Sequence, residues 1–256
     1  MQLKFKVPIF DVKNLNFSVR GVDILSNISL EIFNGEYIAI IGPNGGGKTT
    51  LIRILLGLEK ATSGSVKIFG KKIKNFKEWY KIGYVPQRAS LVDANFPATV
   101  EDIVKMGRVA KRGMFSTFSL EDAKMVEDAM LKMDIVHLKN KMVGTLSGGQ
   151  RQRAMIARAL ASSPEILILD EPNTGVDIVS QQRFYKLLSK LNKEDNITIV
   201  FITHDIGVIA DDIGRLFTIN ENATICNNPK EAMSCEDMTQ LYGIDAHLIH
   251  NHKHEH

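Results

Sequence analysis

One glycine-rich stretch limits the folds open to this chain more than any other feature. It reads Gly42-Pro-Asn-Gly-Gly-Gly-Lys-Thr49 and matches the pattern GxxxxGK[ST]. The apolar run Tyr37–Ile41 before it predicts a buried strand, and the apolar spacing of Lys48–Leu58 after it predicts a helix. Glycines here let backbone N–H groups point at phosphate oxygens, and the helix N-terminus adds partial positive charge. We therefore predict a phosphate-binding loop, with Lys48 at the terminal phosphates and the Thr49 hydroxyl on magnesium.

A second apolar run ends in two carboxylates. The sequence Ile166-Leu-Ile-Leu-Asp-Glu171 predicts a buried strand that ends with Asp170 and Glu171. Ligands of open α/β sheets bind at the carboxyl ends of the strands. We expect Asp170 to hold magnesium through water, and Glu171 to orient an attacking water or take its proton. Phosphoryl transfer mainly requires positioning and charge neutralisation, so one well-placed carboxylate suffices.

The composition argues against several other classes of protein. The 256 residues carry 32 basic and 29 acidic side chains, a balance too even for a protein that binds nucleic acid through a basic face. The apolar runs are far shorter than the roughly 18–20 residues that span a bilayer, and no leader pattern opens the sequence. Two cysteines, Cys226 and Cys235, form neither a disulfide framework nor a zinc knuckle. We expect a soluble, cytosolic chain that binds no nucleic acid.

The order of patterns predicts an α/β core with a helical insertion. Ile28, Leu30 and Ile32 alternate with polar residues before Asn34-Gly35, which predicts a hairpin into the strand at Tyr37–Ile41. Between about residues 87 and 145 the pattern is helical, most clearly after the capping box that begins at Ser119. Alternation then resumes with a helix to Ala161, a strand at Ile166–Leu169, a helix at Val179–Leu191 and a strand at Ile197–Ile202. The sheet is expected to be mostly parallel.

A third motif, Leu146-Ser-Gly-Gly-Gln150, lies between the loop and the carboxylates. Together the three motifs resemble the ATP-binding cassette of ABC transporters, over about Phe10 to Asn220. The resemblance implies an α/β fold of the P-loop NTPase type, with a mixed or parallel sheet, an N-terminal antiparallel β region and an inserted helical subdomain. It implies an ATPase domain at 8–245 with that subdomain at about 88–160. The polar composition of the last residues predicts a His-rich, disordered tail at 246–256. ATP and Mg²⁺ are the implied cofactors.

The resemblance also assigns roles to single positions. Gln87 matches the Q-loop glutamine that touches magnesium and the attacking water, and His204 matches the switch histidine at the γ-phosphate. Asp177 matches the D-loop aspartate. Magnesium is assigned to Thr49, Gln87 and Asp170, and catalysis to Glu171, His204 and Gln87. The ATP contacts are assigned to Gly42, Pro43, Asn44, Gly45, Gly46, Gly47, Lys48, Thr49 and Thr50.

In the family, the motif at Leu146–Gln150 is called the signature. Two cassettes pack head to tail, so that each ATP lies between one phosphate loop and the other chain's signature. A second copy of this chain is therefore an implied partner. The Ser147 hydroxyl and the Gly148 N–H at a helix N-terminus would form a second anion site. The residues assigned to the partner's ATP are Leu146, Ser147, Gly148, Gly149 and Gln150.

One position departs from the family pattern. The family stacks adenine on an aromatic residue where this sequence has Val19, with Phe17 two residues away on the same strand face. Base–aromatic stacking contributes about 1–3 kcal/mol in nucleic-acid complexes. We expect ATP and GTP to bind with similar affinity unless Phe17 or another residue takes the aromatic role.

Two further features bear on the cargo. The stretches Gly83–Arg88, Phe96–Val100 and Met106–Arg108 are similar to the cassettes of bacterial zinc and manganese importers. Five of the seven histidines lie in the last ten residues, and neutral imidazole is a common ligand of zinc. These five histidines, a candidate zinc-binding tail, are His247, His250, His252, His254 and His256.

The resemblance thus implies an ATP-hydrolysing subunit on the cytoplasmic face of the membrane. It would power uptake of a divalent metal, zinc first, with a separate membrane permease and an extracytoplasmic metal-binding protein. Phe96 and Met106 are expected to line the permease socket. Manganese, iron or another cargo stays open. A cassette ATPase acting on DNA or the ribosome is the remote alternative, because the proteins of that class carry long coiled coils or tandem cassettes.

Overall fold

The computed structural model describes residues 7–87, 89, 96–113, 116–172, 178–203, 212–220 and 222–226. They form two compact units. One contains the described residues up to Phe76 and from Phe201 onward, and the other is Lys77–Val200. No helix in the described part of the chain is long and apolar enough to cross a membrane. The domain bounds expected from the sequence, 8–245 with an insertion at about 88–160, stay a prediction.

The described chain begins and ends with three successive strands, and the second unit contains a helical stretch between two of its strands. Short 3₁₀ helices lie at Ile73–Asn75, Trp79–Lys81, Val136–Leu138 and Val143–Thr145. The strands and α-helices are β1 (Phe10–Val19), β2 (Val22–Ile32), β3 (Tyr37–Ile41), α1 (Lys48–Leu55), β4 (Ser63–Ile68), β5 (Lys71–Lys72), β6 (Ile82–Val85), α2 (Val100–Met106), α3 (Val109–Arg112), α4 (Leu120–Lys132), α5 (Gly148–Leu160), β7 (Ile166–Asp170), α6 (Ile178–Asp195), β8 (Thr198–Ile202), β9 (Arg215–Asn220) and β10 (Asn222–Cys226).

The first unit contains an antiparallel sheet of order β2-β1-β4-β5. β1 and β2 form a hairpin whose register runs from Phe10 opposite Ile32 to Val19 opposite Val22. Gly21 in its turn has a φ of 80°, a conformation that glycine adopts without steric cost. This sheet is the antiparallel β region that the family resemblance implied.

The prediction of a hairpin at Asn34-Gly35 is wrong, because the strands on either side of this turn do not pair with each other. β2 pairs with β1, whereas β3 pairs in parallel with β9, so the turn joins two different sheets. β3 is buried at all five positions, and strands buried on both faces are typical of parallel sheets. Glu36 fixes the connection, because its carboxylate accepts hydrogen bonds from the Phe33 N–H and from Arg215 Nη1, each at 2.7 Å.

Parallel pairing recurs in both units, as predicted. In the first unit β9 lies between β3 and the antiparallel β10, and the Thr203 N–H after β8 donates to the Ile40 carbonyl at 3.0 Å. In the second unit β6 pairs in parallel with β7. The boundary between the units falls within β8, after Val200. The strands β9 and β10 did not figure in the sequence-based predictions.

The helix predicted after Ser119 forms as expected. The Ser119 hydroxyl accepts from the Asp122 N–H, and the Asp122 carboxylate accepts from the Ser119 N–H at 2.8 Å, which completes the capping box. The face of α4 that packs into the second unit carries Val126, Ala129 and Met130.

Asp122 also neutralises two arginines in the interior of the second unit. Its carboxylate accepts from Arg108 Nε at 2.8 Å and pairs with Arg112 Nε at 2.9 Å, and the Arg108 and Asp122 side chains are 4% and 2% exposed. Burial alone raises the pKa of the Asp122 carboxyl. The hydrogen bonds from Ser119 and Arg108 and the charge of Arg112 outweigh burial and hold that pKa well below its usual range.

Asp122→Asn is expected to destabilise the protein at neutral pH, because Arg108 and Arg112 would lose their buried countercharge. The pKa of Asp122 is depressed in the folded chain. Its contribution is therefore complete above the ordinary value of 3.8 and is lost as the pH falls through the folded value. Urea midpoints measured from about pH 7 to about pH 3 should show a difference between variant and unmodified protein that shrinks in acid.

Asp128→Asn is the matched control. The Asp128 carboxylate pairs with Lys132 at 2.9 Å but is 49% exposed, and exposed pairs contribute about 1 kcal/mol or less. Equal losses of stability in the two variants would contradict the role assigned to Asp122.

Candidate active site

The predicted phosphate loop runs from the buried strand β3 into α1. Asn44 and Gly45 are exposed, and Thr49 is exposed at the start of the helix. Gly47 precedes the helix and offers no capping side chain, and the first turn carries no acidic residue. The N–H groups of this turn therefore keep the positive character that suits an anion.

Two glycines of the loop are required by packing inside the first unit. A Cβ at Gly42, where φ is 154°, would lie 1.9 Å from the Ile219 carbonyl oxygen of β9. A Cβ at Gly47, where φ is 94°, would lie 2.6 Å from Leu25 Cδ2 and 2.8 Å from the Ile24 carbonyl oxygen. The sequence interpretation explained the glycines by approach to phosphate. The fold adds a second reason, since neighbouring strands occupy the space beneath the loop.

Lys48 is held within its own loop. Its ammonium donates to the carbonyls of Gly42 and Pro43, each at 2.8 Å, and the residue is 5% exposed. The Gly46 N–H donates to the Pro43 carbonyl at 3.1 Å and tightens the turn. The nine residues predicted to contact ATP, 42–50, thus form a turn that leads into the first three residues of α1, with the buried ammonium of Lys48 held against the turn.

The carboxylates lie in the second unit, at the end of β7. Asp170 is the last residue of that strand and is 2% exposed. Glu171 follows with a φ of 45°, in the left-handed region, which costs a residue with a side chain about 1–2 kcal/mol. Strained backbone of this kind is concentrated at functional sites. The turn directs two adjacent carboxylates into different surroundings, one buried and one half-buried.

The register of β6 and β7 brings Gln87 to Glu171. Val85 lies opposite Leu169, so two residues further along each chain Gln87 and Glu171 are neighbours. Gln87 Nε2 donates to Glu171 Oε2 at 2.6 Å. Two residues that the sequence assigned to catalysis from separate motifs are therefore in direct contact, and the amide fixes the orientation of the carboxylate.

The signature Leu146–Gln150 opens α5, also in the second unit. The Ser147 hydroxyl accepts from the Gln150 N–H, and the Gln150 amide oxygen accepts from the Ser147 N–H at 3.0 Å. Leu146 is buried, and Arg151 donates to its carbonyl, so it anchors the segment. Ser147 and Gly148 are exposed, and, apart from its chain neighbours and the backbone of its own helix, no part of the described chain lies within 4 Å of a Cβ built on Gly148. This helix start has room for an anion.

The remaining predicted site residues lie outside the described residues. They are His204, Asp177, His247, His250, His252, His254 and His256. Their roles stay predictions. Sequence reasoning also missed residues that shape the site, namely Ile219 beneath Gly42 and Leu25 beneath Gly47. The stretch Arg215–Asn220, with Leu216, Phe217 and Ile219, could have been identified as a strand, but the strand it pairs with could not.

The model of the ABC transporter family matches residues 25–174. The chain belongs to the ABC transporter family. Its cassette is 38% identical over 213 residues to the zinc uptake system ATP-binding protein ZurA of Listeria innocua, covering 83% of each chain. It is 40% identical over 197 residues to the high-affinity zinc uptake system ATP-binding protein ZnuC of Bacillus subtilis, covering 77% of this chain and 84% of that one.

A solved dimeric ATP-binding cassette, in a post-hydrolysis state bound to ADP and Pi, superposes with a TM-score of 0.73 at 30% identity. The match covers 85% of this chain and 98% of that chain. The family resemblance, the α/β cassette fold and the ATPase class predicted from the sequence are thereby confirmed. The cassette binds ATP.

Gly42→Ala is expected to abolish ATP binding. The added Cβ would meet a backbone carbonyl that cannot rotate away, so the loop would have to move off β9. Titration with a fluorescent ATP analogue measures the loss. Circular dichroism shows whether the rest of the chain is still folded.

Gly21→Ala is the control for backbone strain. Gly21 also has a positive φ, of 80°, but, apart from its two chain neighbours, no described residue lies within 4 Å of its Cβ position. This variant should lose about 1 kcal/mol of stability and keep its ATP affinity. Normal ATP binding by Gly42→Ala would show that the contact with Ile219 does not fix the loop.

Proposed function

We propose that this cassette hydrolyses ATP to power the import of a divalent metal ion, zinc first, through a separate membrane permease. The observation that carries the proposal is the match, over 77–83% of the chain, with ATP-binding proteins of zinc uptake systems. Manganese, iron or another cargo is the alternative within the same class, because a cassette need not touch the cargo. These relatives do not support the remote alternative of a cassette acting on DNA or the ribosome.

Hydrolysis requires an oriented water and neutralised phosphate charge. In the proposed mechanism the carboxylate of Glu171 orients the water or takes its proton, and Gln87 holds that carboxylate in place by the 2.6 Å hydrogen bond. The ammonium of Lys48 lies in the loop where the terminal phosphates would bind, and His204 is assigned to the γ-phosphate. The glycine-rich backbone supplies further N–H donors.

The residues assigned to magnesium carry ligand atoms of the kind that this ion prefers. The Thr49 hydroxyl, the Asp170 carboxylate and the Gln87 amide offer oxygen ligands, which this hard cation prefers. When bound, the ion would neutralise charge on the phosphate oxygens. Asp170 is the last residue of β7, and ligands of open α/β sheets bind at the carboxyl ends of the strands.

The working form is proposed to be a head-to-tail dimer. A dimeric relative has been solved, and in this chain Ser147 and Gly148 are exposed at the start of α5. They would meet the nucleotide bound to the partner's phosphate loop, together with Gly149 and Gln150. Asp177 is assigned to the same dimer contact.

The permease is proposed to dock on the second unit. Phe96 and Met106 are 41% and 49% exposed there, which supports an interaction role over a core role for both side chains. The cassette would then lie on the cytoplasmic face of the membrane, and an extracytoplasmic metal-binding protein would deliver the cargo. The five histidines of the tail are proposed to bind zinc weakly.

Glu171→Gln is expected to keep ATP binding and to lower hydrolysis by about 100-fold or more, because an amide cannot accept the proton of the water. The blocked protein should accumulate as an ATP-bound dimer. Steady-state phosphate release, nucleotide titration and size-exclusion chromatography with ATP measure the three quantities.

Lys48→Ala is the contrasting variant, because it removes charge from the phosphate loop and should weaken ATP binding itself. Hydrolysis by Glu171→Gln within a few-fold of the unmodified protein would reject the role of Glu171. Dimers that form equally well without ATP would reject the proposed sandwich.

The cargo is tested by growth. A strain that lacks this protein should fail under chelation, and added zinc should restore growth at lower concentrations than manganese or iron. Complementation with the unmodified gene should remove the zinc requirement, and the Glu171→Gln allele, as the matched control, should not. Rescue by manganese or iron alone would assign the import system to that metal instead.

A further inference from the structure

Both ends of α2 contact the segment that carries the signature, Leu146–Gln150. At the beginning, three backbone hydrogen bonds join the start of α2 to residues 139–143, a few positions before Ser147. They run from the N–H of Val100 to the Lys141 carbonyl, from Glu101 to Lys139, and from Val143 to Ala98, each at 3.0 Å. Thr99 and Met142 form a bridge within this ladder.

At the other end, α2 meets the last turn of α5. A Cβ on Gly107, the residue after α2, would lie 1.9 Å from the Arg158 carbonyl oxygen, so the two backbones are in direct contact. The next residue, Arg108, contacts the end of α5, where its Nη1 donates to the Ala161 carbonyl at 2.7 Å. Both the entry to the signature and the exit of its helix are therefore fixed to one short helix.

Arg108 has a second bond that fixes its own position. Its Nε donates to the Asp122 carboxylate at 2.8 Å while Nη1 holds Ala161, so one guanidinium joins the N-terminus of α4 to the C-terminus of α5. The planar fork of arginine can serve two acceptors in fixed directions, whereas a lysine ammonium is a single point of charge.

We propose that Gly107 and Arg108 are positioning residues that set the place of Ser147–Gln150 against the nucleotide bound by a second copy of the chain. The inference rests on the proposed head-to-tail dimer. α5 has 13 residues and is a stiff rod of about 20 Å, so a shift where it ends moves the signature where it begins. A misplacement of about 1 Å at a reacting centre can cost about 100-fold in rate.

Two variants test the proposal, and a third is the control. Arg108→Lys keeps the charge beside Asp122 but cannot hold Asp122 and Ala161 in the same way. Gly107→Ala forces α2 and α5 apart, and its φ of −62° is compatible with alanine. Arg112→Lys, the control, changes the other arginine of the same cluster, which is paired with Asp122 and is 16% exposed.

The measurements separate positioning from nucleotide binding and from folding. For Arg108→Lys and Gly107→Ala we expect an ATP affinity of the single chain within about twofold of the unmodified protein, and a kcat lower by about 10- to 100-fold. In the Glu171→Gln background, the dissociation constant of the ATP-bound dimer should rise about tenfold, or about 1.4 kcal/mol. Arg112→Lys should match the unmodified protein in all three quantities.

The outcomes distinguish this inference from the proposed function. If Glu171→Gln alone forms no ATP-bound dimer, the dimer proposal fails, and the inference fails with it. If that dimer forms, wild-type kcat and dimer affinity in Arg108→Lys and Gly107→Ala would overturn the inference alone. An equal loss in Arg112→Lys would also overturn it, since the effect would then belong to the stability of the cluster. If one test variant does not fold, as judged by thermal unfolding, the other decides.

Discussion

The parallel pairing of β6 with β7 decides which side chains lie together at the end of the second unit where catalytic residues are predicted. In parallel strands, residues at equal distances after a paired position stay neighbours. Val85 lies opposite Leu169, so Gln87 and Glu171, each two residues further along the chain, lie side by side. Their 2.6 Å hydrogen bond is therefore a consequence of strand register. A slip of one residue would send one of the two side chains to the opposite face.

The phosphate loop depends on a different constraint, which is the closeness of β9. Gly42 lies against the Ile219 carbonyl oxygen at a distance that excludes any Cβ, and Lys48 folds back onto the carbonyls of Gly42 and Pro43. The conformation of the loop is thus fixed by its contact with β9 and by the hydrogen bonds from the buried Lys48 ammonium. A phosphate group would meet a turn that is already formed, which lowers the entropy lost on binding.

The sequence predicted those elements whose structure depends on interactions between residues close together in the chain. The loop, the strand β7 and the capping box at Ser119 each depend on residues within a few positions of one another, and all three formed. The turn at Asn34-Gly35 was misinterpreted because turn chemistry specifies a reversal and does not say which strand will become the neighbour. The partners of Gly42 and Arg108 could not be predicted for the same reason. Ile219 is distant in sequence, and Ala161 is 53 residues from Arg108.

The buried charges of the second unit serve geometry more than stability. When an ion pair is buried, the hydration free energy that it loses is seldom exceeded by the attraction between its two charges. Apolar residues of similar volume are therefore often as stabilising. Apolar contacts, however, have no direction. Asp122 caps α4 and accepts from Arg108, and Arg108 donates at the same time to the end of α5, so each bond has a required distance and angle. Such a network leaves a helix few alternative positions. The proposed head-to-tail dimer requires this property, because one end of α5 would meet a nucleotide held by another chain.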